Sequence, residues 1–130
     1  MSQIPTELLY SANHQWIAVE PDGSVAVGIT DFAQEALGDI VFVEFPSLGT
    51  AVATDEACAV VESVKSATDV FAPLSGSIAE INSALQAAPE QINQAPYLAW
   101  LFKIKIADAK QLNSLLSAAA YQILTAQQSD

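Results

Sequence analysis

The chain contains no arginine, and its four lysines stand against fifteen acidic residues, a formal net charge of −11 over 130 residues. So few positive charges cannot build a face that neutralises phosphates, which excludes a nucleic-acid role, and the same imbalance repels an anionic membrane surface. Cysteine occurs once, at Cys58, so no internal disulfide and no thiolate cluster can form. Cys58 lies in the apolar run Ala57–Val61 and reads as a small buried hydrophobe. Histidine also occurs once, at His14, and a His14–Cys58 nucleophilic pair is set aside because nothing in sequence activates the thiol. No apolar run reaches the length of a membrane span, since Asp, Glu, Pro and Gly interrupt each one. Met1 to Glu7 carry neither the basic and apolar regions of a secretory leader nor the arginines of a transit peptide, so a cytoplasmic location is expected.

What is present is a chain with 52% hydrophobic residues, long enough for one core and too short for two; a single domain over residues 1–130 is expected. Ile17–Glu20 and Val25–Ile29 flank a Pro21-Asp22-Gly23-Ser24 turn and predict a hairpin. Thr30 is placed to cap a short helix, with Asp31 in its first turn and Gly38 just past its end. Ile40–Phe45, β-branched and aromatic, predicts a buried strand, and Ala51–Ala53 a short one. Ser77–Ile81 alternates as a strand, and residues 82–95 break into short helical or turn pieces. Tyr97–Ile106 predicts a last strand with Lys103 and Lys105 on one face. From Asp108 the period becomes helical through Leu112, Leu115, Leu116, Ala119 and Ile123, with Asp108 or Ser117 as caps, a docking helix that closes a sheet face.

Lys65 is the residue that needs explaining. Ala57–Val64 and Thr68–Ala72 predict two strands joined by a tight hairpin, with Lys65 and Ser66 between them. That presents a primary amine at an exposed tip, reachable by a modifying enzyme. A weak internal echo joins Leu37–Val43 to Leu74–Ile81, consistent with two similar β halves sharing a core.

Three segments together resemble the glycine cleavage system H protein family of lipoyl carriers. Glu62-Ser63-Val64-Lys65-Ser66-Ala67-Thr68-Asp69-Val70-Phe71-Ala72-Pro73-Leu74-Ser75-Gly76 is similar to that family's lipoylation signature. His14-Gln15-Trp16-Ile17 stands where the family has His-Glu-Trp, and Ala95-Pro96-Tyr97-Leu98-Ala99-Trp100-Leu101 resembles its Pro-Tyr…Gly-Trp segment. Order and spacing agree along nearly the whole chain.

The resemblance implies a mainly β fold, a flattened barrel or sandwich-like lipoyl-carrier domain of two quasi-symmetric β halves with short helices and a C-terminal helix. It implies a carrier and not an enzyme, with one lipoic acid joined to Lys65 through an amide. The arm would accept an aminomethyl group from glycine decarboxylase (P protein) and pass it to the aminomethyltransferase (T protein). Dihydrolipoamide dehydrogenase (L protein) would then reoxidise it. A lipoate ligase, or an octanoyltransferase with lipoyl synthase, would install it. Tethering holds the intermediate at about millimolar local concentration, and acylation takes the charge from −11 to −12. Glu62 and Asp69 flank the lysine, either as solvated carboxylates or to orient the modifying enzyme, and the family gives Asp69 a part in holding the loaded arm. His14 reads as a satisfied structural histidine at the edge of that site.

Two positions depart from the family pattern. Gln15 replaces a usual Glu and removes a carboxylate that could pair with the arm's ammonium. Ala99 replaces a usual Gly and would be strained if that position needs φ > 0. The alternative reading is an H-like protein that relays lipoyl or octanoyl groups to other enzymes. A biotinyl carrier would want Met on both sides of the lysine, where Val64 and Ser66 stand, and no convergent His, Cys and carboxylate set supports an enzyme. A transiently docking carrier is most simply a monomer.

Overall fold

Alternating apolar and polar residues produce two antiparallel sheets in the computed structural model, which describes residues 3–128. Met1 and Ser2, part of the stretch read for a leader, and the last two residues of the expected domain lie outside the described residues. β1 (Leu9–Tyr10), β2 (Gln15–Val19) and β3 (Val25–Ile29) form a meander. The β2–β3 turn is closed by Glu20 N–H donating to Ser24 O at 2.8 Å, and Gly23 sits at φ 89°, where a glycine is at ease. β5 (Ala51–Val52), β8 (Gly76–Ile81) and β9 (Phe102–Ile106) complete the larger sheet in the order β1-β2-β3-β9-β8-β5. β4 (Ile40–Glu44), β6 (Ala57–Ser63) and β7 (Ala67–Phe71) make a three-stranded sheet in the order β4-β6-β7.

Both sheets send side chains into one core: Ile17, Val25, Val27 and Ile104 from the larger, Val43, Val61 and Val70 from the smaller. The sheets remain two and do not close into a barrel, so of the flattened barrel or sandwich expected, the open two-sheet form is realised. The echoing segments contain β4 and β8, which lie in different sheets, and their glycines serve different ends. Gly38 has φ 82°, whereas a Cβ on Gly76 would stand 2.2 Å from the Lys105 carbonyl oxygen, so there the neighbouring backbone demands glycine.

The helices are short, and α1 is capped as its sequence predicts. In α1 (Asp31–Leu37) the Thr30 hydroxyl accepts from Ala33 N–H at 3.2 Å and Gly38 N–H donates to Gln34 O at 3.0 Å. Single turns α2 (Ala84–Ala87) and α3 (Gln91–Gln94) bury Leu85 and Ile92. Both proposed caps after β9 are used: the Asp108 carboxylate accepts from Lys110 N–H at 2.9 Å to open a 3-10 helix over Ala109–Ser114, and the Ser117 hydroxyl accepts from Ala120 N–H at 3.2 Å ahead of α4 (Ala118–Gln128).

Three expectations need correction. β4 ends at Glu44 and is not buried throughout: Val41 and Phe42 are 53% and 47% exposed, because a bulge between Ile40 and Phe42 and an uncovered outer face leave only part of the strand on the core. The last strand starts at Phe102, not Tyr97, because the preceding polar groups bond outside the ladder; Trp16 Nε1–H donates to Pro96 O at 2.9 Å and Asn82 Nδ2–H to Trp100 O at 2.9 Å. In α4 the expected stripe is wrong, since Ile123 is 63% exposed and Ala119 is exposed, while Tyr121 and Thr125 are buried. Leu116 exchanges two backbone hydrogen bonds with Tyr10 at 2.9 and 2.7 Å, and this bridge resets the helical phase before α4 begins.

Candidate functional site

Lys65 stands in the β6–β7 connection, and Ser63 builds the turn that carries it. Ser63 N–H donates to Ser66 O at 2.8 Å, while the Ser63 hydroxyl accepts from the amides of Lys65 at 3.1 Å and Ser66 at 3.2 Å. A serine hydroxyl that bonds the next backbone amides is a known turn device, and it makes residues 64–66 the loop, one position earlier than the 65–67 gap between the expected strands. The turn is also tied to the end of α1, through Val64 N–H donating to Asp39 O at 3.0 Å. Asn93 in α3 fixes that end in place: its amide nitrogen donates to Gly38 O at 2.8 Å and Gln34 Oε1 at 2.9 Å, and its oxygen accepts from Ile40 N–H at 2.8 Å.

The exposed Lys65 side chain lies across the C-terminus of α1. Its Cε is 3.0 Å from where a Cβ on Gly38 would stand, and Nζ donates a long 3.4 Å hydrogen bond to Ala36 O. The carbonyl end of a helix attracts a cation, so the unmodified amine rests there without being buried.

Ala36 also lines a groove of about 250 Å³ that runs between α1 and the β6–β7 hairpin. Phe32, Ala33 and Leu37 of α1, with Ile29, Val61 and Val70, make most of its wall carbon, and Asp69, His14, Gln15, Asn13 and Thr68 complete it. Of the five expected site positions, His14, Gln15 and Asp69 line the groove and Lys65 reaches it through Ala36. Glu62, half-buried on β6, has Phe42 and Ala67 as its cross-strand neighbours and does not line the groove.

The polar members are constrained. Gln15 is 2% exposed; its Oε1 accepts from the Ser11 hydroxyl at 2.6 Å and its Nε2 donates to Asn13 O at 3.1 Å. His14 takes a left-handed backbone at φ 69°, stacks on Phe32 with ring centroids 4.8 Å apart, and holds Nδ1 2.8 Å from the Tyr121 hydroxyl. Burial depresses its pKa, opposed in part by a hydrogen bond from its ring to the Gln128 side chain. Asp69 is exposed at the lip.

Other candidates resolve simply. Trp16 is buried and Trp100 carries the Lys103 ammonium 4.8 Å from its ring centre, far in sequence from the hairpin. Ala99 has no positive φ, so the Gly-to-Ala departure costs no backbone strain. Cys58 lies in β6 with its thiol pushed up to about 12 by burial and by Glu56, unsuited to nucleophilic work. Among the described residues no cluster of His, Cys, Asp and Glu is arranged to hold a metal, and no helix is long and apolar enough to cross a membrane.

Sequence reasoning missed Ser63, Phe32 and Tyr121 as parts of this site. A serine two residues before the lysine was a readable turn signal; nothing local could pair His14 with a tyrosine 107 residues away.

Comparison with known proteins identifies relatives of this chain. The family model described as Glycine cleavage H-protein matches residues 8–128. The glycine cleavage system H protein of Halorhodospira halophila is 56% identical over 127 residues, covering 97% of this chain and 98% of that protein. The protein of the same name from Escherichia coli O7:K1 is 52% identical over 125 residues, covering 95% and 97%. The crystal structure of a glycine cleavage system H protein from Mycobacterium marinum superposes with a TM-score of 0.85 at 41% identity, covering 95% of this chain and 99% of that one. With a matching family model over nearly its whole length, relatives above half identity and a shared fold, the chain belongs to the glycine cleavage H-protein family, a carrier component and not an enzyme.

Proposed function

We propose that this protein is the lipoyl carrier of a glycine cleavage system, with lipoic acid in amide linkage to Lys65. The observation that carries the reading is an exposed primary amine, held on a rigid hairpin, whose side chain reaches the same helix end that lines an apolar groove. The residues present fit such a group. The amine is accessible for acylation, the carbon-rich walls suit the methylenes of the arm, and Asp69 at the lip suits a cationic load.

Held on Lys65, a dithiolane would supply the group-carrying and redox chemistry that glycine decarboxylase, the aminomethyltransferase and dihydrolipoamide dehydrogenase draw on. The chain's own residues do the rest. Ser63 fixes where the arm begins. Acylation removes the ammonium that rested on Ala36 O, so the modified side chain loses its charge-assisted hold on α1. Phe32, Ala33 and Leu37 exclude water from whatever part of the arm enters the groove. Glu62, beside the exposed Phe42, is offered to the ligase or octanoyltransferase that modifies the lysine. The protein works in the cytoplasm as a monomer that docks transiently, and its charge of −11 favours partners with basic faces.

A second reading, an H-like protein that relays lipoyl or octanoyl groups, draws support from Gln15, because the buried wall residue is a neutral amide whose two polar atoms are already occupied. Intact mass after incubation with lipoate ligase and lipoate tests the attachment. A gain of one lipoyl amide is expected in the wild type and none in Lys65→Arg; lipoylation that persists in the variant removes Lys65 from the role and points to Lys103, Lys105 or Lys110. Glycine-dependent carbon dioxide exchange with the decarboxylase then separates the two readings.

A further inference from the structure

The Tyr121 side chain, wholly buried in α4, bonds His14 in the lining of the arm groove and Thr30 at the cap of α1 without lining the groove itself. Its hydroxyl lies 2.8 Å from His14 Nδ1 and 2.7 Å from the Thr30 hydroxyl. His14 lines the groove from the connection before β2. Thr30 caps α1, the helix whose Phe32 and Ala36 make one wall, and its N–H donates to His14 O at 3.1 Å. The ring itself is held by stacking on Tyr10, with centroids 4.7 Å apart and planes 7° from parallel.

The hydrogens can be assigned so that every group is served. Ala33 N–H donates to Thr30 Oγ1, the Thr30 hydroxyl donates to the Tyr121 oxygen, and the Tyr121 hydroxyl donates to His14 Nδ1. Gln128, on the last turn of the same helix, also acts on the His14 ring, opposing the burial that lowers its pKa. His14 keeps φ 69° in a fold where Asp55 is the other non-glycine residue with positive φ among the described residues. Such a conformation persists when its surroundings over-determine it: His14 N–H donates to Ser11 O and Thr30 N–H to His14 O, both at 3.1 Å, and α4 adds the Tyr121 contact to Nδ1.

We propose that Tyr121 is a positioning residue of the arm groove: its buried hydroxyl fixes the His14 ring beside the cap of α1, and the C-terminal helix thereby sets the shape of the groove at its His14 end. The proposal rests on the reading of Lys65 as the site of the arm. It gives α4 a part in protecting the load, beyond covering a sheet.

The test uses full-length lipoylated wild type, Tyr121→Phe, and Ile104→Val as a core variant remote from the groove and from α4. Tyr121→Phe keeps the stacked ring and deletes only the hydroxyl. All three are expected to show the mass of one lipoyl amide. After loading with glycine and decarboxylase, followed by removal of the decarboxylase, ammonia release is expected to be about fivefold faster in Tyr121→Phe, the scale of losing one buried neutral hydrogen bond. Ile104→Val is expected to release at the wild-type rate. In the unlipoylated protein the ¹⁵N shift of His14 Nδ1 should move in Tyr121→Phe and stay put in Ile104→Val. Release at the wild-type rate in Tyr121→Phe, equal acceleration in both variants, or an unmoved Nδ1 shift would each overturn the proposal. Absence of the lipoyl mass in wild type is a separate result that overturns the carrier reading, and this proposal with it.

Discussion

Gln15 shows how one atom decides what a wall residue can do. Its Oε1 and Nε2 are both engaged, with Ser11 and Asn13, in a site that is 2% exposed. In Gln15→Glu one oxygen can keep the Ser11 bond, but the other must face the Asn13 carbonyl in place of an N–H. Burial raises the pKa of such a carboxyl. A raised folded-state pKa favours the protonated form, which restores a donor to Asn13 O. The penalty is therefore small at acid pH and develops as pH rises through that raised value. Thermal melts of unlipoylated Gln15→Glu should show a loss of about 1–3 kcal/mol at neutral pH that shrinks toward pH about 5. A cationic load on the arm should offset the loss, because the charge then has a partner; equal stability at both pH values would contradict the burial argument.

At the scale of elements, one hydroxyl shapes the β6–β7 turn and another helps dock α4. Ser63→Ala removes the acceptor that gathers the Lys65 and Ser66 amides, while the flanking register, Glu62 opposite Ala67, remains. The expected result is a ligase KM raised severalfold with kcat nearly kept, a stability loss of about 1 kcal/mol, and faster amide exchange at Lys65 and Ser66. Unchanged KM would mean that the ligase shapes the turn itself. For α4 the relevant group is the Tyr121 phenol, pushed up to about 12 by burial, with Tyr10, its stacking partner, also raised. A folded-state pKa above the unfolded value of 10.0 gives stability that is complete below pH 10 and is lost as pH rises toward 12. Phenolate absorbance should therefore rise together with the undocking of α4 across that window, and ionisation near 10 with α4 still docked would show the phenol to be solvated.

Across the whole molecule, two buried clusters lie on opposite faces of β2 and β3. Ile17, Val25 and Val27 face the core between the sheets, whereas Trp16 and Ala26 face Tyr10 and Tyr121 under α4. Strands that contribute to both clusters cannot lose one without exposing the other, so we propose that the chain is one folding unit. Calorimetry should give a single transition with equal calorimetric and van't Hoff enthalpies. A resolved earlier step confined to α4 would instead make the helix a separate unit.

The sequence by itself determined what depends on neighbours along the chain. The hairpin around Lys65, the Thr30 and Gly38 caps of α1 and the alternation of β9 were legible because turns, caps and strand faces follow from local spacing and backbone preference. The family was legible too, since its segments keep their order. Tertiary structure decided the rest. Burial of β4 depends on which of its faces another layer covers, and the phase of α4 was reset by the Leu116–Tyr10 bridge. Ala99 needed no glycine because its backbone avoids positive φ. The groove takes one wall from α1, another from β6 and β7, and its brace from Tyr121, 107 residues from His14. Contacts at that separation arise from how sheets and helices pack, and no local pattern encodes them.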